Sequence, residues 1–254
     1  MVLGVSLLAA YLGLCAVLFL VQRALVFPAP RDRVDAESGT IVEVPGGTPM
    51  LWRSVEGGGP VVVHFHGNGE QVGELGWLGE TLARSQVSFA AVEYPGYPGA
   101  RGTPSEASIV AAAEKALEHL TGPMGVARER IVLSGQSLGT GVAVRLAANG
   151  WGTKLVLLSP YTSMTDVAAS GLFRVFPVRL LMRDRFDSEP LAPRIDRPVL
   201  VLHGNRDEIV PFELGQALAA RFPHARFVEV RGAGHNDLWQ HPPTASEYLA
   251  FVGR

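Results

Sequence analysis

Three residues of this chain, Ser137, Asp207 and His235, have the side-chain types and the settings that nucleophilic catalysis needs. Ser137 is the centre of Gly135-Gln136-Ser137-Leu138-Gly139. The apolar run Ile131-Val132-Leu133 precedes it, and the helix-like stretch Gly141 to Ala148 follows. G-x-S-x-G between a strand and a helix makes a turn so sharp that the serine is strained, and glycines two residues either side let strand and helix approach without a Cβ clash. The hydroxyl then stands clear at a helix N-terminus, where the helix dipole favours negative charge. A serine hydroxyl is a poor nucleophile near neutral pH. It needs a base, and the base needs an orienting carboxylate.

Those partners are expected on loops that follow strand C-termini. The strand-like run Pro198–His203 leads into Gly204-Asn205-Arg206-Asp207-Glu208, where Asp207 is the first acid and Glu208 its neighbouring competitor. The run Arg226–Val230 leads into Gly232-Ala233-Gly234-His235-Asn236-Asp237, a glycine-rich loop from which His235 can swing towards the serine. Acyl transfer also develops an oxyanion that needs preorganised N–H donors. The amide of Leu138, just after the nucleophile, is one candidate. The amide of Asn68, in the loop His66-Gly67-Asn68-Gly69-Glu70, is the other.

The elements that would position these groups alternate along the chain. Thr40–Val44 and Pro49–Val55 flank a turn at Pro45-Gly46-Gly47-Thr48 and read as a hairpin. Pro60–Phe65 is a β-branched run suited to burial on both faces. Helix is expected over Val72–Arg84, strand over Val87–Tyr94, and helix from Pro104, at its first position, to Leu120. Arg130–Ser134, Lys154–Ser159, Pro198–His203 and Arg226–Val230 read as strands. Phe212–Arg221 and Pro243–Val252 read as helices. A hairpin followed by strand–helix repeats implies an α/β fold, a mostly parallel sheet flanked by helices. Tyr161–Ile195 breaks the rhythm. At about 35 residues it is too long for a plain connection and suggests a small cap. Within it, Pro177 is positioned to open a helix carrying Arg179 and Arg183 one turn apart. Two roles fit that helix: a cap with its arginines in water, or a segment resting on a bilayer surface.

The chain has 254 residues, 47% hydrophobic and 18% charged, with a net charge of −2. It can bury a sizeable core, and its charge gives no reason to expect nucleic acid as a partner. Its one cysteine, Cys15, lies in the first apolar run, which leaves the folded domain without a disulfide or a thiol nucleophile. No motif for zinc, calcium or phosphate-loop binding is present. Val2 to Gln22 carries no charge. As a helix it would span about 30 Å, the thickness of a bilayer core. A secretory signal is the competing reading, but no Lys or Arg precedes the run and no A-x-A site follows it. We therefore expect a single N-terminal transmembrane anchor over residues 1–26. Arg23, Arg31 and Arg33, which follow the uncharged run, favour a cytoplasmic domain over residues 27–254, with the cap at about 161–195.

Several segments together resemble the α/β-hydrolase-fold serine hydrolases. They are His66-Gly67-Asn68-Gly69, Tyr94-Pro95-Gly96-Tyr97, Gly135 to Gly141, Ser159-Pro160-Tyr161-Thr162-Ser163, Phe186-Asp187-Ser188, His203 to Glu208, and Gly232 to Asp237. With the apolar N-terminus they resemble the single-pass membrane-anchored abhydrolase-domain branch, which includes depalmitoylases and lysophospholipid or monoacylglycerol hydrolases. The resemblance implies Ser137, Asp207 and His235 as a triad and Leu138 and Asn68 as oxyanion donors. It also implies hydrolysis of esters or thioesters of lipid, small-molecule or protein-borne acyl groups without a cofactor or metal. One departure is Gly96-Tyr97-Pro98-Gly99, where the family usually has Gly-Tyr-Gly. A serine peptidase of the same fold and a non-catalytic membrane-tethered binding module are the alternatives. His64 and His66 are read as structural, Asp166 and Asp237 as capping or loop acids, and Trp77 and Trp239 as pocket or packing residues.

Overall fold

The computed structural model describes residues 2–253, with side chains from residue 4 onward. One sheet runs through the molecule. Its strands are β1 (Thr40–Val42), β2 (Met50–Arg53), β3 (Val61–Phe65), β4 (Ser88–Val92), β5 (Ile131–Gln136), β6 (Lys154–Leu158), β7 (Val199–Gly204) and β8 (Ala225–Val230). They lie in the order β1-β2-β4-β3-β5-β6-β7-β8. β1 pairs with β2, and β2 with β4, antiparallel. The other five pairings are parallel. The central strands β3, β4 and β7 are buried along their whole length, as their continuous apolar runs require.

The helices cover both faces. α3 (Glu106–Thr121), α4 (Leu138–Ala148) and α7 (Phe212–Ala219) pack on one side with Val61, Val63, Phe65, Ile131 and Leu133. α2 (Gly76–Ala83) and α8 (Pro242–Val252) pack on the other with Val62, Val132 and Phe89. The alternation along β3 and β5 follows from the two-residue period of a strand. The strands from β3 onward all run parallel, and the connection from β4 to β5 passes over β3. The C-terminal ends of β3, β5, β7 and β8 therefore share one edge of the sheet, and their loops gather there.

Three local expectations are adjusted. β1 ends at Val42 and β2 begins at Met50, its partner, so the connection runs over residues 43–49; Val44 is buried within it and its carbonyl accepts the Gly47 amide at 2.9 Å. Val72–Leu75 is a separate 3₁₀ turn before α2. α3 begins after Pro104, because Ser105 is its N-cap: its hydroxyl accepts the Ser108 amide at 3.1 Å, while Ser108 Oγ accepts the Ser105 amide at 2.9 Å.

Between β6 and β7 lie two short helices, α5 (Met164–Ser170) and α6 (Val178–Leu181), joined by a 3₁₀ turn at Leu172–Val175. α6 is a single turn, shorter than expected. The Arg183 amide goes to Gln22 Oε1 at 2.8 Å, not back along the helix. Arg179 and Arg183 therefore do not share a helical face. Arg179 stands 3.2 Å from Asp166, and the Arg183 guanidinium lies 5.5 Å from the Phe19 ring centroid.

The N-terminal segment is one helix, α1 (Val2–Val26). Its stretch Gly4–Val26, 23 residues of mean hydropathy 2.4, is long and apolar enough to cross a membrane by length and composition. Its end is tied to the domain. Phe27 is buried in the main core, and Arg23 Nε lies 2.9 Å from the buried Asp184 carboxylate. The other oxygen of Asp184 accepts the first amide of α3, from Glu106, at 2.9 Å.

Candidate active site

Ser137 sits between β5 and α4 with φ 49° and ψ −118°. For a residue with a Cβ this is a sparsely populated region that costs about 1–3 kcal/mol. The surroundings impose it: the Ser137 amide donates to Leu158 O at 2.9 Å, and its carbonyl accepts from both the amide and the hydroxyl of Thr140. A Cβ on Gly135 would strike the Gly139 carbonyl, and one on Gly139 would strike the Phe65 carbonyl. The two motif glycines are thus required by backbone-to-backbone contact. Although Ser137 occupies the N-cap of α4, its hydroxyl makes no capping bond. Instead it faces His235 Nε2 at 2.9 Å.

On its other side the His235 ring donates Nδ1–H to Asp207 Oδ2 at 2.7 Å. The loops bearing these residues are stitched together. Asn205 Oδ1 accepts the Gly232 amide at 2.8 Å, Arg206 N donates to Ala233 O at 2.9 Å, and Gly204 has no room for a Cβ against the Ala233 carbonyl. Asp237 Oδ1 accepts the Gly234 amide at 2.6 Å, which shapes the turn that presents His235. The Asp207 carboxylate is fully enclosed. Its Oδ1 accepts the amides of Ile209 and Val210 at 3.0 and 2.8 Å. Burial alone would raise its pKa. Hydrogen bonds from His203, His235 and the Val210 amide outweigh burial and hold it well below the usual carboxylate range. Glu208, next along the chain, is exposed.

Leu138 is the first residue of α4, where amides have no partner within the helix. Asn68 follows Gly67, whose Cα faces the Ser137 Cβ closely enough that an added Cβ would lie 3.8 Å from it. The loop is held from beneath. Tyr97 donates to Asn68 O at 2.6 Å and Tyr94 to His66 O at 2.7 Å. Both come from the Tyr94-Pro95-Gly96-Tyr97 turn, closed by Tyr97 N to Tyr94 O at 3.0 Å with Gly96 at φ 83°. Glu70 Oε2 accepts the Gly67 amide at 2.6 Å, and its other oxygen accepts from Gln136 at 3.3 Å. Gln136 also accepts from Trp239 at 2.9 Å, and Trp239 packs edge-to-face on Trp77.

His64 and His66 are both buried. His64 Nδ1 meets Ser134 Oγ at 3.0 Å. His66 is sealed between the Gly67 carbonyl at Nδ1, 2.8 Å away, and Glu93 Oε1 at Nε2, 3.0 Å away. Both partners accept, so the ring is an imidazolium paired with a carboxylate. Burial opposes its charge, but Glu93 and the Gly67 carbonyl hold its pKa above the ordinary value. Glu93 was missed by motif reading. The signal was a lone acid ending an apolar strand run, and a buried charge demands a partner. His203, on β7, was also passed over. Its Nε2 lies 3.3 Å from Asp207 Oδ2 and 3.0 Å from the Val210 carbonyl.

A cavity of about 350 Å³ opens beside these loops. It is lined by residues between Met164 and Met182 of the insert, by Leu18, Gln22, Leu25 and Val26 of α1, and by Asn68 and Ile209. Among the described residues no cluster of His, Cys, Asp or Glu side chains is arranged to hold a metal ion.

This sheet order, with a strained serine after β5, an acid after β7 and a histidine after β8, is the α/β-hydrolase fold. The family profile described as alpha/beta hydrolase fold matches residues 176–242. The chain is 38% identical over 182 residues to an uncharacterized protein of Mycobacterium tuberculosis, covering 71% of this chain and 64% of that protein. It is 36% identical over 194 residues to the alpha/beta hydrolase domain-containing protein aho-3 of Caenorhabditis elegans, covering 74% of this chain and 55% of that protein. The matched region thus spans somewhat over half the length of these relatives. In three dimensions it is similar to a monoacylglycerol lipase of Paleococcus ferrophilus, with a TM-score of 0.59 and 24% identity over 80% of this chain and 95% of that one.

Proposed function

We propose that the chain is a membrane-anchored serine hydrolase that cleaves carboxylic ester or thioester bonds of acyl substrates through an acyl-enzyme. The observation that carries this reading is the hydrogen-bonded series Asp207–His235–Ser137, ending on a positive-φ serine at a helix N-terminus. In the proposed reaction His235 Nε2 takes the hydroxyl proton as Ser137 Oγ attacks the carbonyl carbon, and the same proton then passes to the leaving group. Asp207, kept ionised, fixes the imidazole tautomer and stabilises the imidazolium. The amides of Leu138 and Asn68 receive the oxyanion. Water, activated by His235, resolves the acyl-enzyme and regenerates the serine.

The apolar cavity leading to Asn68, and the similarity to a monoacylglycerol lipase, favour acyl chains over peptides as substrates. In this reading residues 1–26 are a retained anchor, residues 27–254 the hydrolase domain and residues 161–195 its cap. The buried partner of Arg23 favours retention, because removal of the helix would strand the Asp184 carboxylate. The arginines after the helix favour a cytoplasmic domain.

The test is labelling of the purified protein by an alkyl fluorophosphonate, together with hydrolysis of p-nitrophenyl acetate. Wild type should label at Ser137. Ser137→Ala should lose labelling and roughly 10³-fold or more of kcat. A Ser137→Ala variant that keeps a tenth of the activity would overturn the assignment, and a wild type that neither labels nor hydrolyses would favour the binding module.

A further inference from the structure

The last turns of α1 do more than lead into the domain. Tyr11, Cys15, Leu18, Gln22, Leu25 and Val26 recur at intervals of three and four residues, so they lie on one side of the helix. That side is the docked one. Tyr11 donates to Val175 O at 3.0 Å and stacks on Phe176, Cys15 is buried, and Gln22 Nε2 reaches Leu181 O at 3.1 Å. The insert therefore runs beside α1 from Val26 up to Tyr11, about 22 Å at 1.5 Å per residue. The cavity is the gap left in this contact. It borders the helix from Val26 to Leu18, about 12 Å, and Asn68 and Ile209 also line it. Ile209 belongs to the Asp207 loop, where its amide donates to the carboxylate.

We infer that α1 forms one wall of the acyl-binding site: the cavity takes a single alkyl chain lying along Leu18, Gln22 and Val26, with its ester carbonyl at the Asn68 amide. This rests on the serine-hydrolase reading above and adds the part of the substrate it selects. The lining decides the occupant. On α1 and the insert Gln22 is the one polar residue of the lining, and its amide is spent on Phe19 O and Leu181 O as donor and on Arg183 N as acceptor. A polar guest would surrender water and find no partner there. An alkyl chain loses nothing and gains about fourfold in affinity for each methylene buried. The outer faces fit a lipid setting: Leu20 on α1 and Leu180 on the insert are 77 and 82% exposed.

The experiment uses the full chain in detergent micelles and a series of p-nitrophenyl esters from acetate to palmitate. The reading is the ratio of kcat/KM for the long-chain ester to that for acetate. Leu18→Trp fills the cavity from the helix side and Val167→Trp fills it from the insert; each should lower the ratio at least tenfold. Leu12→Trp, on the exposed side of the same helix, should leave it unchanged. A monoacylglycerol and an S-acylated peptide bearing the same chain separate the two sources of acyl groups. Whichever is hydrolysed should lose the same factor in Leu18→Trp. The inference fails if both filling variants keep the ratio within twofold of wild type, or if Leu12→Trp lowers it equally. Loss of acetate hydrolysis and of fluorophosphonate labelling in the wild type would instead bring down the hydrolase reading itself.

Discussion

His203 Nε2 approaches Asp207 Oδ2 at 3.3 Å, on the same oxygen that His235 Nδ1 reaches at 2.7 Å. The carboxylate is thus fixed from two sides by histidines and from a third by the amides of Ile209 and Val210. His203 itself has room only because residue 215 is glycine: a Cβ there would collide with its imidazole.

This arrangement separates two adjacent acids. Asp207→Asn should lower kcat/KM for an ester by about 10⁴-fold near neutral pH, because the amide favours the wrong imidazole tautomer. Glu208→Gln, changing an exposed side chain, should cost less than about threefold. Steady-state kinetics on the two purified variants decide it, and comparable losses would reject Asp207 as the orienting acid.

The His66–Glu93 pair should be visible as a pH dependence of stability. A base whose folded pKa exceeds its unfolded value, about 6.5 for histidine, stabilises the fold fully below that unfolded value. The contribution is lost as pH rises through the folded pKa. Glu93→Gln should therefore be less stable than wild type by about 3–5 kcal/mol in mildly acidic solution. The gap should narrow as the solution is made alkaline. Urea unfolding followed by tryptophan fluorescence across that range measures it, and a gap that does not change with pH would contradict the imidazolium assignment.

The motif glycines make a third prediction. Gly139→Ala drives a methyl group into the Phe65 carbonyl, which is held in the sheet and cannot yield. A loss of about 1–3 kcal/mol follows, or a fall in Tm of about 2–10 °C. Gly69→Ala, with open space around the new carbon, should melt within a degree or so of wild type. Differential scanning fluorimetry on both compares them directly, and equal melting temperatures would refute the close-approach argument.

The sequence by itself determined the order and kind of nearly every strand and helix, because buried parallel strands are written as continuous β-branched runs such as Val61–Phe65 and Val199–Leu202. It also singled out Ser137, Asp207 and His235, since the G-x-S-x-G turn and the loops after strands are local patterns. Helix starts were less legible: whether Pro104 or Ser105 opens α3 turns on one side-chain hydrogen bond. The support beneath the site could not be read at all. His66 and Glu93 are 27 residues apart, Tyr97 and Asn68 are 29, and Asn205 and Gly232 are 27. Such pairs carry no local periodicity, and only the parallel crossovers that bring strand ends to one edge make them neighbours. The same holds for α1. Its hydropathy marks it as able to span a bilayer, but hydropathy is uniform around the helix. Only the tertiary structure shows which side packs against the insert, because there Gln22 gives its amide to the Leu181 carbonyl and Arg23 meets a buried carboxylate, and each pairing spans about 160 residues of chain.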